Sequence, residues 1–125
     1  MNRLTSYFRR IIPFFRRKHK RYPALEGMYV VLGVPQPDGV KFKVIDVSLG
    51  GIAFLYQGAR ADLDRFEKLS ITDGDKCLVD NLTFEPVGEQ FVDTDQLRVA
   101  GAFKFVGVLE KSKLKDFITS CCYRD

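Results

Sequence analysis

The sequence predicts a mainly β fold: a small antiparallel six-stranded β-barrel with a C-terminal α-helix. Three observations lead there. KFKVID alternates apolar with polar residues at the period of a half-buried strand, and GIAFLY is a short apolar run of strand length. Turn chemistry recurs at close spacing, in PQPDG, DVSLGG, TDGD and GEQFVDTD. A helical period enters only near the end, where Leu114, Phe117, Ile118 and Cys121 fall at i, i+3, i+4 and i+7. Close-set strands with one terminal helix suit a small barrel whose opening the helix covers.

Taken in order, MNRLTSYFRRIIPFF predicts a short helix broken at Pro13, with Leu4, Tyr7, Phe8, Ile11 and Ile12 on one face. RRKHKR, Arg16 to Arg21, reads as an exposed basic loop, and Pro23 turns the chain into a strand around Leu25 to Val34. PQPDG leads into a second strand, Val40 to Asp46, and GIAFLY forms the third. The polar stretch QGARADLDRFEKL holds a helical turn. Further strands are expected near Leu69 to Thr72, Lys76 to Pro86 and Gln96 to Val106, and the helix at about Glu110 to Tyr123. Residues 1–15 form an arm and residues 16–125 the barrel domain. A chain of 125 residues is long enough to bury roughly two-thirds of its unfolded surface in one core.

Several functional classes are disfavoured. No apolar run approaches the ~20 residues that span a bilayer. The IIPFF patch has arginine pairs on both sides and no small-residue cleavage site, so it is a poor signal peptide, and a cytoplasmic protein is expected. Cys77, Cys121 and Cys122 have no metal-ligand spacing and, with one histidine, build no zinc set; they read as buried thiols in a reducing compartment. His19 lies inside the basic run, where an imidazole is poorly placed as a neutral general base. No enzyme, cofactor or metal is expected.

The net charge of +4 conceals two opposing parts. Residues 1–24 carry eight Lys/Arg and no Asp/Glu, whereas residues 25–125 carry twelve against sixteen, a net of −4. A cationic arm on a mildly acidic body calls for an anionic partner: a phosphate ligand, nucleic acid or a membrane surface.

Two clusters stand apart from a generic barrel. RRKHKRYPA contains RxxxR at Arg17 and Arg21, and DVSLGG contains DxSxxG at Asp46, Ser48 and Gly51. Either alone is weak, since basic runs yield RxxxR freely and DVSLGG would serve as a plain hairpin turn. In this order within one strand meander, the pair resembles the PilZ domain, the bacterial receptor module for cyclic di-GMP. GIAF after the glycines, RVAGAFKF as a late strand and the closing helix add to the likeness, which runs from Arg16 to the end. The resemblance implies a cyclic di-GMP site made by Arg17, Arg21, Asp46, Ser48, Gly50 and Gly51. Arg16 belongs to a poorer register, Arg16 to Lys20; Arg17 and Arg21 are chosen because RYPA follows the second arginine. Lys18, His19 and Lys20 serve as a general electrostatic attractant.

The chemistry is consistent with that ligand. Cyclic di-GMP offers two phosphates and two guanines, and guanine has O6 and N7 acceptors on one edge and N–H donors on another. Arginine matches the acceptor edge bidentately, binds phosphate, or stacks on a base. Asp46 accepts from guanine donors or orients an arginine, the Ser48 hydroxyl donates to phosphate or accepts from N–H, and Gly50 and Gly51 permit close approach and positive φ. The function expected is a signalling receptor and adaptor whose arm, mobile when free, is ordered by ligand and engages a downstream effector protein. Two alternatives stand beside it: a basic arm docking to nucleic acid or anionic membrane with the barrel as scaffold, and a PilZ-like interaction protein without ligand.

Overall fold

The computed structural model describes residues 20–33, 40–58, 68–74, 76–93 and 95–122. Within them the chain forms β1 (Tyr22–Pro23), β2 (Met28–Leu32), β3 (Lys41–Val47), β4 (Gly51–Gln57), β5 (Lys68–Asp73), β6 (Lys76–Phe91), β7 (Gln96–Lys104) and α1 (Val108–Cys121). Six strands, β2 to β7, close into an antiparallel barrel in the order β3, β2, β5, β6, β7, β4, with β4 returning to pair with β3. β1 lies outside this ring. It shares one edge of β3 with β2, taking Asp46 and Val47 while β2 takes Lys41 to Lys43.

The alternation in the sequence becomes the inside and outside of the barrel. Val30, Val44, Phe54, Ile71, Val79 and Val99 are buried, one or more from every barrel strand. Rings fill the centre, with Phe42 and Tyr56 centroids 5.1 Å apart and Phe54 and Phe84 5.7 Å apart. Phe54 is fully buried, so Phe54→Ala would cost about 3–5 kcal/mol in lost transfer energy and cavity formation. α1 adds Leu114, Phe117 and Ile118 to the same core, as the 3.6-residue period requires. Its first turn is held by Gly107 N–H donating to Glu110 Oε1 at 3.1 Å and by Gly107 C=O accepting from Lys111 N–H at 3.0 Å.

Two departures from expectation have physical causes. β6 does not stop at Pro86 but runs on to Phe91, because the register with β7 shifts between Pro86 and Gly88 and the ladder resumes beyond the proline. Only residues 92–95 separate it from β7. The thiols also differ: Cys122 is buried and Cys121 partly so, but Cys77, near the start of β6, is exposed. Its place opposite Thr72 near the end of a hairpin leaves it at the rim of the barrel. The helix expected at residues 1–15, the PQPDG turn and most of the QGARADLDRFEKL segment lie outside the described residues.

A bulge in β3 decides what faces outward. Val44 pairs with Phe54 and Val47 with Ile52, all four buried, yet Asp46 pairs with Ala53 because the register shifts between Val44 and Asp46. Without the extra residue, strict alternation would match Asp46 with Ile52 and drive a carboxylate into the core. The bulge turns it to the outer face.

Candidate ligand-binding site

Asp46 is the centre of the site. Its Oδ2 accepts a hydrogen bond from Arg98 Nη2 at 3.1 Å, and its Oδ1 lies 3.6 Å from Arg21 Nη1. Three strands supply the cluster. β1 places Arg21 next to Tyr22, whose partner is Val47; β3 supplies Asp46; β7 supplies Arg98, which pairs with Leu55 across from β4. Between β3 and β7 the outward residues of the ladder are small, with Ala53 opposite Ala100 and Gly51 opposite Ala102, so the arginine reaches the aspartate over a low floor. Asp46 is 16% exposed, against 24% for Arg21 and 29% for Arg98. At that partial burial the pairing is screened less than on open surface, though not enough to count as a core ion pair. Asp46 Oδ1 is itself buried and makes no hydrogen bond among the described residues, which leaves it an acceptor for a polar group arriving at the site. One carboxylate against two guanidiniums leaves the trio at net +1, suited to a phosphate.

The SLGG turn adjoins this trio and is built around Ser48. The buried Ser48 hydroxyl oxygen accepts from Gly50 N–H and Gly51 N–H, both at 3.1 Å, and Ser48 N–H donates to Gly51 C=O at 2.9 Å. The serine staples its own turn, as short hydroxyl side chains do in such loops. The glycines answer a different need from the one expected. Neither Gly50 nor Gly51 is among the positive-φ residues of the described chain. What excludes a side chain at Gly51 is the neighbouring strand, since a Cβ there would collide with the carbonyl oxygen of Gly101. Gly50 in turn accepts from Phe103 N–H at 2.9 Å, tying the turn to the end of β7.

Of the residues the sequence singled out, Arg21, Asp46, Ser48, Gly50 and Gly51 are brought together at one end of β3 and β4. Arg16 and Arg17 lie outside the described residues. Lys20 is adjacent, its ammonium 5.4 Å from the Tyr22 ring centroid. Arg98 is the residue that the sequence reading passed over. Its signal was a cation at an outward position of RVAGAF, which acquires meaning only once β7 is known to lie beside β4.

Behind the site, Ala24 forms a β-bridge with Cys122, and Leu25 N–H donates to Cys121 C=O at 2.9 Å. Burial, then the neighbouring Cys121, then the Asp46 charge push the Cys122 thiol up to about 12. It is a protonated packing residue rather than a nucleophile. Among the described residues no cluster of His, Cys, Asp and Glu could hold a metal ion, and no helix is long and apolar enough to cross a membrane.

No protein-family model matches the chain, and no curated protein matches it by sequence. Solved structures do match in fold. The PilZ domain of YcgR from Escherichia coli, solved with c-di-GMP, superposes with a TM-score of 0.60 at 18% identity, covering 84% of this chain and 90% of that one. The longer YcgR complex with c-di-GMP gives 0.59 at 19% identity, covering 84% of this chain and 45% of that one. The complex of K. pneumonia MrkH with c-di-GMP gives 0.61 at 12%, covering 83% and 51%. The chain thus spans about half the length of the longer of these proteins. The fold is that of PilZ-type barrels.

Proposed function

We propose that this protein is a non-catalytic receptor for cyclic di-GMP. The observation that supports it most is the Arg21–Asp46–Arg98 cluster beside the SLGG turn, on a barrel of the type that in YcgR and MrkH was solved with that ligand. In this reading Arg21, with Arg17 and Arg16 from the preceding basic run, meets phosphate and the O6/N7 edge of guanine. Asp46 holds Arg21 and Arg98 apart at a fixed spacing and offers Oδ1 to a guanine N–H. Ser48 and the glycines hold the turn so that backbone approaches the ligand closely. Ligand then draws the basic arm, residues 1–15, towards the barrel, and the arm carries the signal to an effector protein.

Titration calorimetry tests the assignment. Cyclic di-GMP should bind well and cyclic di-AMP poorly, because adenine presents a donor where guanine has O6. Equal affinity would reduce the site to a phosphate trap. Absence of dinucleotide binding, with duplex DNA binding that collapses in salt, would move the function to the basic arm as an anion binder.

A further inference from the structure

The corner between β7 and α1 exposes apolar surface that folding does not use. Phe105 is 96% exposed, Val108 90% and Leu109 61%. Phe105 also has φ +53°, a left-handed conformation that a bulky residue adopts at a cost and that asparagine or glycine would take readily. The position thus sets an aromatic ring in water on a backbone ill suited to it, and neither cost yields packing among the described residues. Beside the ring is a cleft of about 260 Å³ lined by Lys68, Asn81, Thr83, Lys104, Val106 and Glu110, among others. The cations outnumber the acids there. Glu110 is engaged by the Gly107 N–H, and Lys104 Nζ is 3.2 Å from Glu85 at the strand's rim. Lys111 and Lys115 continue the same exposed face of α1 from Val108, and neither has a carboxylate within ion-pair distance among the described residues.

We propose that Phe105, Val108 and Leu109, rimmed by Lys68, Lys104 and Lys111, form the docking surface for an acidic protein segment bearing an apolar anchor. The anchor covers Phe105 and Val108, and the segment's carboxylates meet the lysines, one of them reaching into the cleft. Charge complementarity selects the partner, since a basic segment would face the lysines. Lys68 and Lys104 are already held by Thr83 and Glu85 within the fold, a fixed arrangement that suits a shaped protein ligand better than a fluid lipid surface. The surface is also wired to the candidate site. Phe103, two residues before Phe105, donates its N–H to Gly50 of the SLGG turn. Any influence of cyclic di-GMP on docking rests on the receptor reading above; the docking surface itself does not.

A phage-displayed library of random peptides, panned on the full chain, tests this. Enriched peptides should be net acidic with an aromatic or aliphatic anchor. Their affinity should fall about tenfold or more with Phe105→Asn and with Lys111→Glu. Phe105→Asn should leave the melting temperature unchanged or raised, because asparagine fits the left-handed backbone, and both variants should keep the cyclic di-GMP affinity of the parent. Basic or unselective peptides, or affinity indifferent to Phe105→Asn, would overturn the proposal. So would binding to phosphatidylglycerol vesicles that Phe105→Asn abolishes while peptides fail to bind. If peptides behave as expected but cyclic di-GMP does not bind at all, the receptor reading fails and the docking surface stands.

Discussion

Asp46 of β3 and Arg98 of β7 are joined by a 3.1 Å charge-assisted hydrogen bond between residues 52 positions apart in sequence. They are not strand neighbours. β4 lies between them, and only its alanine at position 53 lets the two side chains meet over it. Arg98→Ala should therefore loosen Asp46 and, through it, Arg21. Cyclic di-GMP affinity is expected to fall about tenfold, and stability by only about 1 kcal/mol because the pair is partly solvated. A double-mutant cycle with Asp46→Asn, read by calorimetry, should show the two losses to be far from additive. Strict additivity would mean that Arg98 does not act through Asp46.

Gly51 separates stability from binding. An alanine there would press its methyl group against the Gly101 carbonyl, with backbone on both sides and no flexible side chain to yield. Gly51→Ala should lower unfolding free energy by about 2–4 kcal/mol in denaturant titration, whether or not ligand is present. Ser48→Ala should act more mildly, at about 1–2 kcal/mol, because two glycine N–H groups lose their acceptor.

The three thiols should react in sequence. Cys77 is exposed and should be alkylated first, although partial burial and Asp80 raise its pKa above the ordinary 9.0. Cys122 should resist until the protein unfolds. The same thiol sets an alkaline limit. The folded state keeps a proton that the unfolded chain releases near 9.0, so its contribution is whole below that pH and is lost as pH rises towards 12. Melting temperature should decline across that window, and decline less steeply in Cys122→Ala.

The arm offers an assay of coupling. Its end and the basic run that follows, Arg9 to Arg21, crowd tryptic sites into one stretch of sequence. Saturating cyclic di-GMP should slow cleavage there markedly, since a ligand shifts a docking equilibrium only as far as its preference for the docked form. Unchanged cleavage at saturation would rule out arm ordering even with binding confirmed.

Much of the barrel was legible because its signals are local. KFKVID alternates up to its bulge, GIAFLY is an apolar run of strand length, and Leu114, Phe117 and Ile118 are buried as their spacing predicted. What escaped was non-local. β1 is two residues long and has no period of its own; it exists because the outer half of the β3 edge was left unpaired by β2. The continuation of β6 past Pro86 depends on pairing with β7, at partners six to twelve residues further along. Arg98 could not be assigned a role from RVAGAF alone, because its partner is fixed by strand order, and the outward turn of Asp46 depends on a bulge that the sequence does not announce. The motif DxSxxG pointed to this turn without revealing that Ser48 holds it together.

The brevity of β1 has a further consequence. Among its attachments are two ladder positions, the Ala24 bridge to Cys122, the Ala24 N–H to Ile45 C=O bond of 3.0 Å and the Leu25 N–H to Cys121 C=O bond of 2.9 Å. Detaching it opens none of the closed ring of β2 to β7. Arg21 thus hangs on a short segment whose local opening would leave the barrel folded. In hydrogen exchange, the amides of Ala24 and Leu25 should be released by this local opening, whereas those of Val30 and Ile71 wait for global unfolding. A ligand gripping Arg21 would close that gap. It would act as the missing length of a strand, bringing the protection of β1 towards that of the core.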